Sequence, residues 1–98
     1  FPMKEITSSD LKARLNAGEN VVLLDVRQPE EHAAQNIPNS MLIPLGELEE
    51  RIDELDAFRD KEIIVYCRSG ARSGQACMFL EMLGFDNPVN LRGGMLSW

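Results

Sequence analysis

A seven-residue segment in the second half of the chain combines a cysteine with two arginines. This segment, called the cysteine loop below, consists of Cys67, Arg68, Ser69, Gly70, Ala71, Arg72 and Ser73. It lies between a fully apolar run and a helical pattern, so its backbone N–H groups can form an anion-binding turn at a helix start. These N–H groups, the helix dipole and the two guanidinium groups each favour the thiolate of Cys67. The loop therefore predicts a nucleophilic cysteine with a pKa below that of a free thiol.

Two charged residues, Asp25 and Arg27, follow another apolar run. Parallel strands bring their carboxyl ends to one edge of a sheet, so we expect both residues near Cys67, in a supporting role. Cys77 falls inside the following helix and is expected to be a buried small side chain. His32 is the only histidine, and no cysteine pair has metal-ligand spacing, so the sequence predicts no metal site.

Short apolar runs alternate with helical patterns along the chain. The runs at 21–24 and 63–66 lack polar alternation, which is typical of strands buried on both faces. Strands are predicted at 4–6, 21–24, 41–43, 63–66 and 89–91. Helices are predicted from the capping residues 7–10 to about 17, from 29, at 45–55, at 73–83 and from 95. This order indicates an α/β protein with a mainly parallel sheet, and 98 residues suit a single domain spanning 1–98.

The composition limits the classes of partner. A net charge of -6 argues against binding to nucleic acid or to anionic membrane surfaces. No apolar run approaches the roughly 20 residues of a membrane-spanning helix. Two cysteines in so short a chain make no disulfide framework. We therefore expect a cytoplasmic protein.

The sequence resembles the rhodanese superfamily, the thiosulfate sulfurtransferases, over nearly its full length. The matching pieces are 24–27, Glu31 with 37–38, 66–73, 84–85, and 91–94 with Trp98. The resemblance implies a central parallel sheet of about five strands with helices on both faces. It also implies sulfur transfer through a persulfide on Cys67. The backbone N–H groups from Arg68 to Ser73 would then cradle the outer sulfur.

The spacing between Cys67 and Arg72 separates two chemistries. Protein tyrosine phosphatases and their rhodanese-fold relatives surround a phosphate with a Cys-x5-Arg loop, whereas this chain has Cys-x4-Arg. The shorter loop favours a sulfane sulfur over a tetrahedral phosphate.

Two other stretches bear on the resemblance. Residues 35–40 read Gln-Asn-Ile-Pro-Asn-Ser where many family members have Gly-His-Ile-Pro-Gly-Ala. The histidine that those members have in this stretch is neither the nucleophile nor part of the cradle. We therefore expect its absence to leave the sulfur chemistry unchanged. Residues 41–48 are similar to rhodanese domains fused to adenylyltransferases that activate sulfur-carrier proteins.

The leading hypothesis is a rhodanese-type sulfurtransferase that needs no cofactor. A donor such as thiosulfate would load sulfur onto Cys67, and cyanide, a thiol or a sulfur-carrier protein would remove it. The alternative is a non-catalytic or relay rhodanese module of a larger sulfur-trafficking protein or complex. The short chain and the acidic face of the predicted helix at 45–55 motivate that alternative.

Overall fold

A computed structural model describes residues 3–98, so the first two residues of the predicted domain lie outside the described range. The strands are β1 (Glu5–Ile6), β2 (Val22–Asp25), β3 (Met41–Leu42), β4 (Glu62–Tyr66) and β5 (Asn87–Leu91). The α-helices are α1 (Ser8–Asn16), α2 (Pro29–Ala34) and α3 (Ala71–Met82). Three 3₁₀ segments span Leu45–Glu47, Ile52–Phe58 and Gly94–Leu96. The strands pair in parallel in the order β1-β5-β4-β2-β3, which confirms the predicted α/β class and five-stranded sheet.

The central strand β4 contributes side chains to two apolar cores, one on each face of the sheet. Ile63 and Val65 pack with residues of α3, whereas Ile64 and Tyr66 pack with Leu11 of α1. Because both faces are covered, the strand needs no polar positions, as its unbroken apolar sequence predicted. Within residues 3–98, no helix has both the length and the apolar character required to cross a bilayer.

The two strand ends selected from the sequence meet at one edge of the sheet. Asp25 of β2 lies in register with Tyr66 of β4, and Cys67 is the next residue. Cys67 continues the alternation of β4 and packs in the core on the α3 side. The prediction that the two polar clusters share an edge is therefore confirmed.

The predicted helix at 45–55 is wrong. Two 3₁₀ segments take its place, and they are joined by a turn. A step of three residues suits a 3₁₀ helix as well as an α-helix, and the four-residue step from Leu48 to Ile52 falls at the turn between the two segments, so the apolar spacing did not distinguish the helix types. Gly46, two residues after Pro44, is a poor α-helix former.

The helix after the cysteine loop begins at Ala71, two residues before the predicted start at 73. Gly70 precedes it with a φ of +105°, in the left-handed region that glycine adopts without strain. The backbone N–H of Gly74 donates to the Gly70 carbonyl at 3.0 Å, so the first helical turn already includes the end of the loop. The helix predicted from residue 95 is only the short 3₁₀ segment Gly94–Leu96.

Leu80 and Met82 test the assignment of the faces of α3. Leu80 is fully buried, and Leu80→Ala should lower the free energy of unfolding by about 2–5 kcal/mol because it leaves a cavity. Met82 is 81% exposed, and Met82→Ala should change that free energy by less than about 0.5 kcal/mol. Urea unfolding measures both variants, and equal losses would contradict the assignment.

Candidate active site

Cys67 lies directly after β4 with its side chain fully buried. The N–H of Gly70 points back at Cys67 Sγ, at 3.1 Å, and the positive φ of Gly70 then turns the chain into α3. The N–H of Ser73, in the first turn of α3, approaches the same sulfur at 3.4 Å. Two backbone donors and the amino end of a helix therefore converge on one sulfur atom, an arrangement that stabilises negative charge.

Burial and hydrogen bonding act on the Cys67 thiol in opposite directions. Burial by itself raises its pKa, because it removes the charged thiolate from water. Hydrogen bonds from the Ser73 hydroxyl and from the backbone of Ser73, Gly70 and Ser69 outweigh this, so the pKa of Cys67 is lowered. The direction is the one predicted from the sequence. The causes of the lowering are hydrogen bonds, which include the loop N–H groups predicted from the sequence, and the arginine charges are not among its main causes.

Asn90 on β5 supports the cysteine loop from beneath. Its side chain is buried, its Nδ2 donates to the Gly70 carbonyl at 3.1 Å, and its Oδ1 accepts from the Ser73 hydroxyl. The Ser73 Oγ also lies 3.4 Å from Cys67 Sγ, so its one hydrogen has two acceptors. An ionised sulfur is the stronger acceptor of the two, because it carries charge. Sequence reasoning missed Asn90, since only the pairing of β5 with β4 brings it under the loop.

Arg72 is bound to a carboxylate and does not point freely at the sulfur. Its Nη1 and Nη2 donate to the two oxygens of Glu31 at 2.9 and 3.1 Å. Glu31 also accepts the backbone N–H of Gln28 at 3.0 Å, which caps α2. The Arg72 guanidinium, followed by this backbone hydrogen bond, lowers the pKa of Glu31 to about 2. The pair fastens α2 to the cysteine loop and balances the charge of Arg72.

Asp25 and Arg27 form a buried ion pair at the end of β2, with Nη2 and Oδ2 2.9 Å apart. The Arg27 backbone N–H donates to Asp25 Oδ1 at 2.9 Å, and its Nη2 donates to the Gln35 carbonyl at 2.6 Å. His32 Nδ1 lies 2.9 Å from Asp25 Oδ2. These contacts hold the C-terminal end of α2 against the sheet.

The 3₁₀ segment Gly94–Leu96 covers the start of the cysteine loop. The N–H groups of Met95 and Leu96 donate to the carbonyls of Cys67 and Arg68 at 2.9 and 3.0 Å. A Cβ on Gly94 would collide with the Cys67 carbonyl oxygen, so this close approach requires glycine. The segment thereby fixes the backbone from which the cysteine side chain projects.

The remaining candidates differ in exposure. Arg68, Ser69 and Ala71 are exposed, whereas Cys77 is fully buried as predicted. Burial, followed by the charge of Glu81, raises the pKa of Cys77 to about 12, which leaves it an unreactive thiol. Across residues 3–98, no three side chains of His, Cys, Asp or Glu gather closely enough to hold a metal ion.

Known proteins share this arrangement of sheet, loop and helix. The sequence profile of the Rhodanese-like domain matches residues 7–98. The chain belongs to this family. A sulfurtransferase of Allochromatium vinosum is 41% identical to the rhodanese-like chain over 96 residues, covering 98% of this chain and 88% of the relative. The structure of the human single-domain sulfurtransferase TSTD1 matches with a TM-score of 0.83 at 28% identity, covering 99% of this chain and 96% of that one.

A longer relative contains the same domain as one part. The adenylyltransferase and sulfurtransferase MOCS3 of Arabidopsis thaliana is 34% identical over 107 residues, covering 95% of this chain and 23% of the relative. Together these relatives support sulfur transfer as the general activity of the rhodanese-like domain.

The Ser73 hydroxyl offers a direct test of the sulfur's environment. Ser73→Ala removes one donor to the thiolate, a hydrogen bond of about 1 kcal/mol, so the pKa of Cys67 should rise. The pH dependence of iodoacetamide alkylation at Cys67 measures this shift. Ser69→Ala is the matched control, because its side chain is exposed and only its backbone faces the sulfur. An unchanged midpoint in Ser73→Ala would contradict the role given to the hydroxyl.

The Glu31–Arg72 pair predicts a pH-dependent contribution to stability. The pKa of Glu31 in the folded domain is about 2, below its ordinary value of 4.5, so its stabilising effect is complete above the ordinary pKa. The effect is lost as the pH falls through the folded value. Glu31→Gln should therefore be less stable than wild type at about pH 7, and the difference should shrink toward about pH 2.

Urea unfolding at a series of pH values measures this difference. Glu30→Gln is the control, because the exposed neighbour Glu30 lies in the same first turn of α2 without an arginine partner among residues 3–98. A pH-independent difference for Glu31→Gln would contradict the assignment.

Proposed function

We propose that this rhodanese-like domain is a sulfurtransferase that carries sulfane sulfur as a persulfide on Cys67. The observation that supports it best is the buried Cys67 Sγ, which faces the N–H group of Gly70 in the loop and that of Ser73, the residue after Arg72. A persulfide needs donors for one extra anionic sulfur, and the N–H groups from Arg68 to Ser73 are the proposed cradle. The proposed donor is a small sulfur compound such as thiosulfate, and the proposed acceptor is cyanide, a thiol or a sulfur-carrier protein.

Loading begins with the thiolate that the lowered pKa provides. Cys67 Sγ attacks the outer sulfur of thiosulfate and forms a new S–S bond. The S–S bond of thiosulfate breaks, and sulfite leaves with the electron pair. The transferred sulfur already has the required oxidation state, so the step needs no oxidant and no cofactor.

Discharge reverses the role of Cys67. The acceptor attacks the outer sulfur of the persulfide, the S–S bond to Cys67 breaks, and Sγ leaves as a thiolate. A thiol with a low pKa leaves faster in such exchanges. The hydrogen bonds from Gly70 and Ser73 therefore assist both steps, because each passes through negative charge on sulfur.

The length of the loop argues against phosphate chemistry at the same cysteine. Arg72 closes the loop after four intervening residues, and its guanidinium is bound to Glu31 on α2. Two of its five N–H donors are thus already bound to a carboxylate, which leaves fewer of them for a tetrahedral anion over Cys67. A chromogenic phosphate ester should accordingly give no turnover above that of Cys67→Ser.

The relay module remains the second candidate, and one finding favours it. The matching part of MOCS3 is a minor fraction of a longer chain that also has adenylyltransferase in its name. A relay domain would take sulfur from a protein persulfide much faster than from thiosulfate, and comparing both rates on one preparation separates the two candidates. In either case we propose the cytoplasm as location, since a working thiol needs reducing conditions.

Intact-mass measurement tests the proposal. Wild type incubated with thiosulfate should gain one sulfur atom, and cyanide should remove it. Cys67→Ser should gain none. Cys77→Ala should load as wild type does, because Cys77 is buried and its pKa is raised to about 12. Failure of wild type to load from thiosulfate and from a protein persulfide would refute the persulfide carrier.

A further inference from the structure

A cavity of about 270 Å³ lies beside the cysteine loop. Its walls include Arg68 from the loop, Ala34 and Gln35 from the end of α2, and Met95 and Leu96 from the last 3₁₀ segment. The hydrogen bonds of the Met95 and Leu96 N–H groups to the loop carbonyls fix this wall against the site. A larger hollow of about 370 Å³ lies at the opposite ends of the strands, where Val22 and Lys61 line it, away from the reactive sulfur.

The cavity, called the Arg68 cavity below, carries one uncompensated positive charge. Arg27 lines it but is paired with Asp25, and Glu31 lines it but is paired with Arg72. Arg68 is exposed, and no carboxylate among residues 3–98 lies within ion-pair distance of it. On a chain with a net charge of -6, a local positive charge on the residue that follows the reactive cysteine selects for an anionic group.

The opposite wall of the cavity is apolar. Leu96 is 63% exposed, one of the few large apolar side chains on the described surface, and the half-buried Met95 lies beside it. Ala34 contributes a further methyl group. An inorganic donor such as thiosulfate has no apolar surface to place against this wall. The cavity volume is close to the lower end, about 300 Å³, of sites that hold small organic ligands.

We infer that the Arg68 cavity binds the organic part of a thiol, or of its persulfide, that combines an acid group with an apolar body. The inference rests on the proposed function and names the substrate class for the same site. The acid group pairs with Arg68, and the apolar body covers Leu96 and Met95. Arg68 is the residue directly after Cys67, so the proposal places the sulfur atom of the ligand toward that neighbouring cysteine.

The transfer step balances without any further reactant. The ligand thiolate attacks the outer sulfur of the Cys67 persulfide and forms an S–S bond. The bond between that sulfur and Cys67 Sγ breaks, and Sγ keeps the electron pair as a thiolate. The products are the ligand persulfide and the free thiolate of Cys67. Running the same step backwards makes the ligand persulfide a sulfur donor.

Protection of Cys67 against iodoacetamide tests the charge preference without any sulfur transfer. Hexanoate should reach half-protection at a concentration about fivefold lower than hexanol, the effect of one partly exposed ion pair. Arg68→Ala should bring the two concentrations together. Arg92→Ala is the control, because it removes an exposed arginine that pairs with Glu5 outside the cavity, and it should keep the wild-type difference.

The apolar wall has its own comparison. Hexanoate should protect at a lower concentration than acetate, and Leu96→Ser should raise the half-protection concentration of hexanoate about fivefold. Met82→Ser, which alters an exposed methionine on α3, should leave it unchanged. Equal protection by hexanoate, hexanol and acetate in wild type would overturn the inference, as would an undiminished preference in both cavity variants.

The final arm uses Cys67 that has been loaded with sulfur. The rate of discharge by ω-mercaptohexanoate should exceed that by ω-mercaptohexanol, and Arg68→Ala should remove the difference. Equal rates in wild type would overturn the inference even if cyanide discharges the sulfur normally. If Cys67 takes up no sulfur from any donor, the proposed function fails, while the protection experiments still decide whether the cavity selects this class of ligand.

Discussion

The sulfur of Cys67 is buried, so water cannot stabilise a charge on it. Every donor that balances such a charge must come from the chain itself, and those found are the backbone N–H groups of Ser69, Gly70 and Ser73 with the Ser73 hydroxyl. Their combined effect is large enough to reverse the direction in which burial shifts the pKa. Hydrogen bonds weaken quickly as geometry changes, so this balance depends on the exact shape of a short loop. The rest of the structure can be understood as fixing that shape.

Three elements far apart in the chain hold the loop from different sides. Asn90 of β5 binds it from beneath, Glu31 of α2 binds its Arg72, and the segment Gly94–Leu96 binds its first two carbonyls. The sheet order explains how they meet, since β5 and β2 are the two neighbours of β4. The loop leaves β4 at the carboxyl edge, so both flanking strands and the segments that follow them lie within reach. The parallel sheet therefore positions the site as well as forming the core.

Local sequence patterns could predict the parts of this arrangement that depend on local chemistry. The unbroken apolar runs revealed buried parallel strands, and the spacing from Cys67 to Ser73 revealed an anion-binding turn. Local patterns did not predict contacts with residues far away in the sequence, or the helix type where the apolar spacing fits two types. Nothing in the sequence around Asn90 marks it as part of the site, because only the pairing of β5 with β4 brings it to the cysteine loop. The segment at 45–55 formed 3₁₀ turns because its apolar spacing fits both helix types. Arg72 was expected to hold the loop and to add positive charge near the sulfur, but no local pattern indicated its partner Glu31, 41 positions earlier.

The pairing of Arg72 bears on how a proposed sulfur carrier must work. Cys67 has to accept a sulfur and then release it, so its environment should stabilise charge without retaining the loaded anion. Backbone dipoles at fixed distances provide such moderate stabilisation, whereas an unpaired guanidinium against the sulfur would bind an anion more strongly. The chain compensates Arg27 and Arg72 with carboxylates and leaves Arg68 exposed on the outer side of the loop. Backbone N–H groups thus stabilise the sulfur, whereas Arg68 is the group proposed to attract an anionic ligand. A substitution of Arg68 that changes the ligand preference need not disturb the hydrogen bonds that activate Cys67.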